Sequence, residues 1–365
     1  MKKLFLASAV SALFAAPATV LAQARPAAAP TLDKVLEASG ISVSGYIDVG
    51  YTRANRDVET GFDTRVFDSQ NNSFALHQLG VSISKQPKEG FGGLVNFTMG
   101  KDAPVLNSVN PLDPPASQFD LTQAYAQYAT GPLTLIAGKF VTMHSTEVIA
   151  STGNTNISRS ILFGAVPFTH TGVRGTWVLN DQVSLLAGLN NGWDQLTDSN
   201  RSKTVEFGAS LNPIKPLTVT VSFMSGKEPT SATTNGTRTS LNAVASYAIS
   251  DPLSLGVEVL RVSQEAGTTK TKYSGLAGYA TFMFTPKYRG VLRVESFDDK
   301  EALRFGSPDT KYREVTGTLA YLAADNFEMR AEVRRDQATA PVFTDFNGAA
   351  SKTLMTLALQ GLYKF

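Results

Sequence analysis

The chain contains three histidines, His77, His144 and His170, so the places where an imidazole could do chemistry are few. His144 is followed directly by Ser145, and Glu147 lies two residues further on. Ser–His catalysis needs the hydroxyl within hydrogen-bond reach of an imidazole that a third group orients. His170 with Asp194 is a second candidate constellation, although Asn191-Gly192-Trp193-Asp194 reads equally well as a turn with an interfacial Trp. His144-x-x-Glu147 on its own is not a metal-site spacing, and the absence of Cys removes any thiolate site or disulfide framework. A hydrolase is therefore the weaker reading, and neither a metal nor another cofactor is expected.

Charge in alternation is the stronger chemical pattern. Phe327, Met329, Ala331 and Val333 alternate with Glu328, Arg330, Glu332 and Arg334. An ordinary soluble core rejects such a charged face and lipid makes it costly, whereas a water-filled lumen accepts it. The same parity turns Asp48, Lys139, Arg174, Glu258, Arg293 and Glu295 inward, together with Glu206 and Glu314. Rings of charge in a narrow passage select ions. Pairing across strands would leave these charges merely solvating the wall.

These side chains must be carried by strands. From Ile41 onward the hydrophobic period is two: Ile41, Val43, Ile47, Val49 and Tyr51 stand against Ser42, Ser44, Tyr46 and Asp48. The pattern yields sixteen strands between 41 and 365; fourteen or eighteen would follow from one hairpin split or missed. Tight turns such as Lys88-Glu89-Gly90 and Asn180-Asp181 alternate with long connections near 55–72, 102–117, 143–166, 194–201, 227–237, 265–270, 299–310 and 337–351. That asymmetry predicts a transmembrane antiparallel β-barrel with short periplasmic turns and long extracellular loops. A soluble sandwich or propeller tolerates alternation but explains neither end of the chain. The last strand closes on Leu362-Tyr363-Lys364-Phe365, and Tyr363 and Phe365 suit a membrane interface. A terminal Phe with an aromatic two residues earlier also resembles the sorting signal of bacterial outer-membrane barrels, which implies the barrel-assembly machinery as a partner.

At the other end, Met1-Lys2-Lys3 and the apolar stretch to Val20 predict a secretory signal peptide over 1–22, with cleavage after Ala24 the alternative. Residues 23–40 read as a periplasmic spacer with one or two helical turns from Thr31, stopped by Gly40. The formal charge of +2 is near neutral once Lys2 and Lys3 are removed, which argues against a nucleic-acid partner.

The connection 143–166 is the longest. Its stretch Ile161-Leu162-Phe163-Gly164-Ala165-Val166 is too apolar to lie bare in water. It is the candidate constriction loop, with Glu147 expected to face basic wall residues such as Lys139 and Arg174. This central region carries a resemblance. Phe119-Asp120-Leu121-Thr122-Gln123-Ala124-Tyr125, Gly138-Lys139, Ser158-Arg159-Ser160, Pro167-Phe168-Thr169-His170-Thr171-Gly172-Val173-Arg174 and Asn191-Gly192-Trp193-Asp194 together resemble the β-barrel porins of the OmpL-like, or porin-2, group. The resemblance implies an outer-membrane porin without a defined substrate, and makes Lys139 and Arg174 lumen positions. Sixteen strands leave an aqueous channel where about eight would fill with side chains. The expectation is a passive channel for small hydrophilic solutes or ions, set among outer-membrane lipid and lipopolysaccharide. By fold analogy it would be a homotrimer. A non-conducting structural or adhesive barrel is the alternative.

Overall fold

A strand whose two faces want different solvents satisfies both only if the sheet has an inside and an outside. Within lipid it also cannot leave an edge unpaired. The computed structural model describes residues 31–58, 62, 64–106, 117–230 and 234–365. Among these residues, sixteen antiparallel strands meet both demands by closing into one barrel. In chain order they are β1 (Ser42–Ala54), β2 (Ser73–Lys85), β3 (Gly90–Met99), β4 (Phe119–Thr130), β5 (Leu133–Val141), β6 (Thr169–Asn180), β7 (Val183–Asn190) and β8 (Thr204–Ile214). There follow β9 (Leu217–Pro229), β10 (Asn235–Ser250), β11 (Leu253–Ala266), β12 (Thr269–Thr285), β13 (Tyr288–Asp299), β14 (Thr310–Ala324), β15 (Phe327–Ala338) and β16 (Thr353–Lys364).

Each strand pairs with its sequence neighbours, and β16 pairs with both β15 and β1. In the closing seam Tyr46 stands opposite Lys364 and Ala54 opposite Thr356. Phe365 finishes it: its N–H donates to Gly45 O at 2.9 Å and its carbonyl accepts from Gly45 N at 2.8 Å. Gly45 is needed there, because a Cβ at that position would lie 2.4 Å from the Phe365 ring.

The expected faces are observed. On β16, Met355, Leu357, Leu359 and Tyr363 point outward, while Thr356, Ala358, Gln360 and the apolar Leu362 are buried inside. On β15, Met329 and Val333 point outward; Glu328, Arg330, Glu332 and Arg334 are buried. No helix among the described residues is long and apolar enough to cross a membrane; the strands do the crossing.

Two expected long loops prove to be strand. Around 265–270 the ladder continues through Glu265↔Lys270 and Ala266↔Thr269. Gly267, at φ 61°, makes the turn with Thr268. Pairing around 227–237 likewise runs out to Pro229↔Asn235. The polar composition of these segments marks them as lying outside the lipid, not as lacking hydrogen-bonded pairing. Beyond β15, Phe343–Thr344 and Ala350–Ser351 form a separate two-stranded ladder.

N-terminal in sequence to the barrel, Leu32–Ser39 form helix α1, and Gly40 ends it at φ 67°. A one-turn helix, α2 (Ala103–Leu106), follows β3. The expected signal peptide, 1–22, lies outside the described residues.

Candidate functional site in the lumen

In a barrel bathed by lipid, the place to bury apolar side chains away from both solvents is the lumen. The connection from β5 to β6 does this. Ile161, Leu162 and Phe163 are at most 1% exposed. Ile161 and Leu162 join a cluster with Leu260, Tyr273, Phe297 and Tyr312 of the wall; Phe163 packs with Phe67 and Phe168. Full burial of each such side chain stabilises by roughly 1.5–3 kcal/mol. Two short 3-10 turns, Ser151–Gly153 and Phe163–Ala165, shape the segment.

A loop held inside a barrel has backbone polar groups that no sheet ladder satisfies. The wall charges satisfy them. Glu295 accepts the N–H groups of Ile161 (2.8 Å) and Leu162 (2.7 Å). Glu332 accepts those of Ile157 (2.7 Å) and Ser158 (3.0 Å). Glu258 accepts Thr146 N at 3.0 Å and the Ser145 hydroxyl at 3.1 Å. The arginines of the same wall serve the carbonyls. Arg293 donates to Ser158 O (2.7 Å), Arg334 to Arg159 O (2.6 Å) and Arg330 to Asn156 O (3.2 Å). Hydrogen bonds to charged groups are worth about 1.5–3 kcal/mol each, so this lattice holds the loop firmly. Within the loop, Arg159 donates to the carbonyls of Val148, Ile149 and Ile157, each at 2.9 Å.

The charged side chains expected to line or narrow the pore, Asp48, Lys139, Glu147, Arg174, Glu258, Arg293, Glu295, Arg330, Glu332 and Arg334, are buried, as are Glu206, Glu314 and Glu328. The structure corrects one pairing. Glu147 faces neither Lys139 nor Arg174; it binds Arg293 at 2.7 Å, and Arg293 also binds Glu314 at 2.9 Å. Lys139 pairs with Asp120 at 3.2 Å. Arg174 grips Glu206 through two bonds of 2.7 and 2.9 Å and lies 4.3 Å over the Phe140 ring. Both basic residues are thus already engaged by acids, Lys139 by one on the adjacent β4 and Arg174 by one on β8, two strands away. Asp48 lies 3.5 Å from His77 and accepts a bond from Gln360 at 2.8 Å.

Other contacts had no sequence signal. Gln78 ties the loop to β2: its amide nitrogen donates to Asp102 (2.9 Å) and to Ile149 O (3.2 Å), and its oxygen accepts from Tyr46 (2.7 Å) and Ser151 N (3.2 Å). A bulge between Asp48 and Val49 shifts the β1–β2 register next to this site. His77 and Gln78, consecutive in sequence, are both buried there, an outcome that strict alternation forbids.

Neither expected histidine pairing, His144 with Ser145 or His170 with Asp194, forms. His144 is bracketed by Ser222 (2.7 Å) and Ser240 (2.8 Å), one hydroxyl on each ring nitrogen, and not by Ser145. Burial, reinforced by His170 and Arg174, pushes its pKa down to about 3, so it is neutral. Asp194 spends one oxygen on Phe168 N (2.7 Å) and Thr169 N (2.9 Å), while His170 contacts Gly192 O and Thr142. Among the described residues no cluster of His, Cys, Asp and Glu could hold a metal.

Beside the loop, a cavity of about 180 Å³ lies against β1 and β3–β5. Asn96, Thr98, Thr122, Gln123, Thr142 and Ser145 supply its polar lining, and Glu147 is the charged group on it. Val141, Val148, Ile149, Ala150, Phe163 and Phe168 line it as well, so the cavity is more apolar than polar, and the wall charges of β13–β15 point into the loop instead.

A closed sixteen-stranded barrel with apolar outer faces and a charged lumen folded around an inward loop defines an outer-membrane porin. The chain belongs to the family described as "Putative beta-barrel porin-2, OmpL-like", which matches residues 40–365. Among curated proteins no sequence match is found. Solved structures share the fold. The outer-membrane channel DcaP of Acinetobacter baumannii is 14% identical with a TM-score of 0.62, covering 89% of this chain and 97% of that one. The anion-selective porin from Comamonas acidovorans is 9% identical, TM-score 0.62, covering 89% and 99%. OmpT of Vibrio cholerae in its trimer form is 10% identical, TM-score 0.60, with the same coverage.

Proposed function

We propose that this porin passes small, neutral hydrophilic solutes passively through a narrow aperture between the inward loop and the wall of β1 and β3–β5. One observation carries the reading: the wall charges that could sort ions are bonded to the loop or to each other, which leaves a single charged side chain among the apolar and neutral polar groups beside the loop. Glu147, the exception, is offset by Arg293 at 2.7 Å. Segment 143–166 is the constriction element in this reading, held by Glu258, Arg293, Glu295, Arg330, Glu332 and Arg334, with Asp48, Lys139 and Arg174 as further pore-lining residues of the wall. No catalytic role is assigned, since both nitrogens of His144 are occupied and no carboxylate orients it. Three copies would assemble together, as in the trimer form of OmpT. Residues 1–22 would be removed on secretion.

The test is planar-bilayer recording across a salt gradient. The expected result is a small single-channel conductance with a reversal potential close to zero. A strongly ion-selective reversal potential would overturn the neutral aperture. Deleting 146–160 should raise conductance, and an unchanged value would show that this loop does not limit the pore. A second reading, a barrel closed outright by the same loop, is favoured by the small size of the cavity. It predicts no conductance until the loop is cut.

A further inference from the structure

The outer wall is not uniform around its extracellular end. On β1–β4 that end carries aromatic pairs, Tyr51 with Phe74 (ring centres 5.0 Å apart) and Phe97 with Phe119 (5.5 Å). On β11, β14 and β15 the corresponding outward positions carry cations instead. Arg261 follows outward Val259 by two residues, Arg313 precedes outward Val315 by two, and Arg335 follows outward Val333 by two. Each therefore sits one outward step beyond the apolar band. The three arginines are exposed and make no ion pair or side-chain hydrogen bond among the described residues.

Of these cations, Arg261 flanks a depression. Register places Arg261 opposite Ser274, and Ser274 opposite Asp298. Ser274 and Ser296 are short, and the wall is hollowed there into an open groove of about 560 Å³. Its membrane-ward lining includes Val259 and Leu276, and its outer lining Arg261 and Lys272. Asp298 also lines the groove but is engaged by Lys311 at 2.6 Å; Glu301 accepts the backbone N–H of Lys272 at 2.6 Å and approaches its ammonium at 3.7 Å. That second pair is exposed, weak and readily exchanged.

We propose that this groove binds a phosphorylated glycolipid of the outer leaflet, with a headgroup phosphate between Arg261 and Lys272 and an acyl chain along Val259 and Leu276. The geometry fits that occupant. Guanidinium and ammonium groups just beyond the apolar band meet headgroup phosphates where water is scarce. The apolar floor runs in the chain direction, into the hydrocarbon. A soluble anion would use the cations but not the floor.

The test uses the full-length protein, purified and delipidated in detergent, with bis-phosphorylated lipid A as the probe and retained lipid counted by native mass spectrometry. The wild type should hold one lipid A in preference to its fully dephosphorylated form. The double variant Arg261→Ser/Lys272→Ser should bind at least about tenfold more weakly, while Arg261→Lys/Lys272→Arg retains binding. Both variants alter exposed outward side chains, and an unboiled gel shift equal to wild type verifies that they fold. Equal binding of dephosphorylated lipid A, or an unaffected Ser variant, overturns the proposal. So does full displacement by millimolar inorganic phosphate, which would reveal a soluble-anion site.

Discussion

Arg293 is the residue on which the lumen lattice converges. Fully buried, it bonds Glu147 and Ser158 of the loop and Glu314 of the next strand. Replacing it with Met leaves two buried carboxylates uncompensated, and breaking such a buried pair costs about 3–5 kcal/mol. The Arg293→Met protein should therefore show a lower heat-denaturation midpoint on unboiled gels and a larger, noisier conductance. His144 adds a pH dependence. Its folded pKa, about 3, lies below its ordinary value of 6.5 because burial disfavours the cation. A depressed folded pKa contributes stability that is present above about 6.5 and lost as pH falls toward 3. Asp102 acts with the opposite sign. Burial raises its pKa to about 7, so its contribution is lost as pH rises from its ordinary range through 7. Acidification below 6.5 should expose the loop to protease in the wild type. His144→Gln, which can still bond both serines, should lose the His144 part of that acid sensitivity.

At the scale of elements, the strands were legible because a barrel wall makes every second side chain report its solvent. Sixteen strands could be read from parity, and the inward charges with them. The partners of those charges could not. Glu295 and Glu332 bind backbone N–H groups of residues more than a hundred positions away, and a backbone donor carries no sequence signature. The bulge between Asp48 and Val49 was equally silent, and with it the inward turn of Gln78. The ends of β11 and β12 were misjudged because polar residues on a ladder above the membrane look like polar residues in a loop. The closing strand offers a test at this scale. Removing Phe365 deletes two backbone bonds to Gly45 and the ring that covers it. Outer-membrane yield and the folded fraction after refolding should both fall, and Phe365→Tyr should restore them; full yield without Phe365 would deny it any part in assembly.

For the whole molecule, loop and wall form one bonded body, so the proposed aperture would have a width set by that lattice. If three copies assemble, crosslinking and native mass in detergent should give a trimer. The aromatic extracellular rim of β1–β4 and the cationic rim of β11, β14 and β15 would then meet different neighbours. One further consequence comes from the closing seam. Fifteen of the sixteen seams join strands adjacent in the chain and can form as a hairpin is completed. The sixteenth, between Tyr46 and Lys364, cannot form until the C-terminal strand has been delivered. Throughout synthesis and export the first strand therefore keeps a bare edge, ready to pair with the wrong chain. Closure of the barrel therefore waits for the strand that carries Phe365, however early the other seams form.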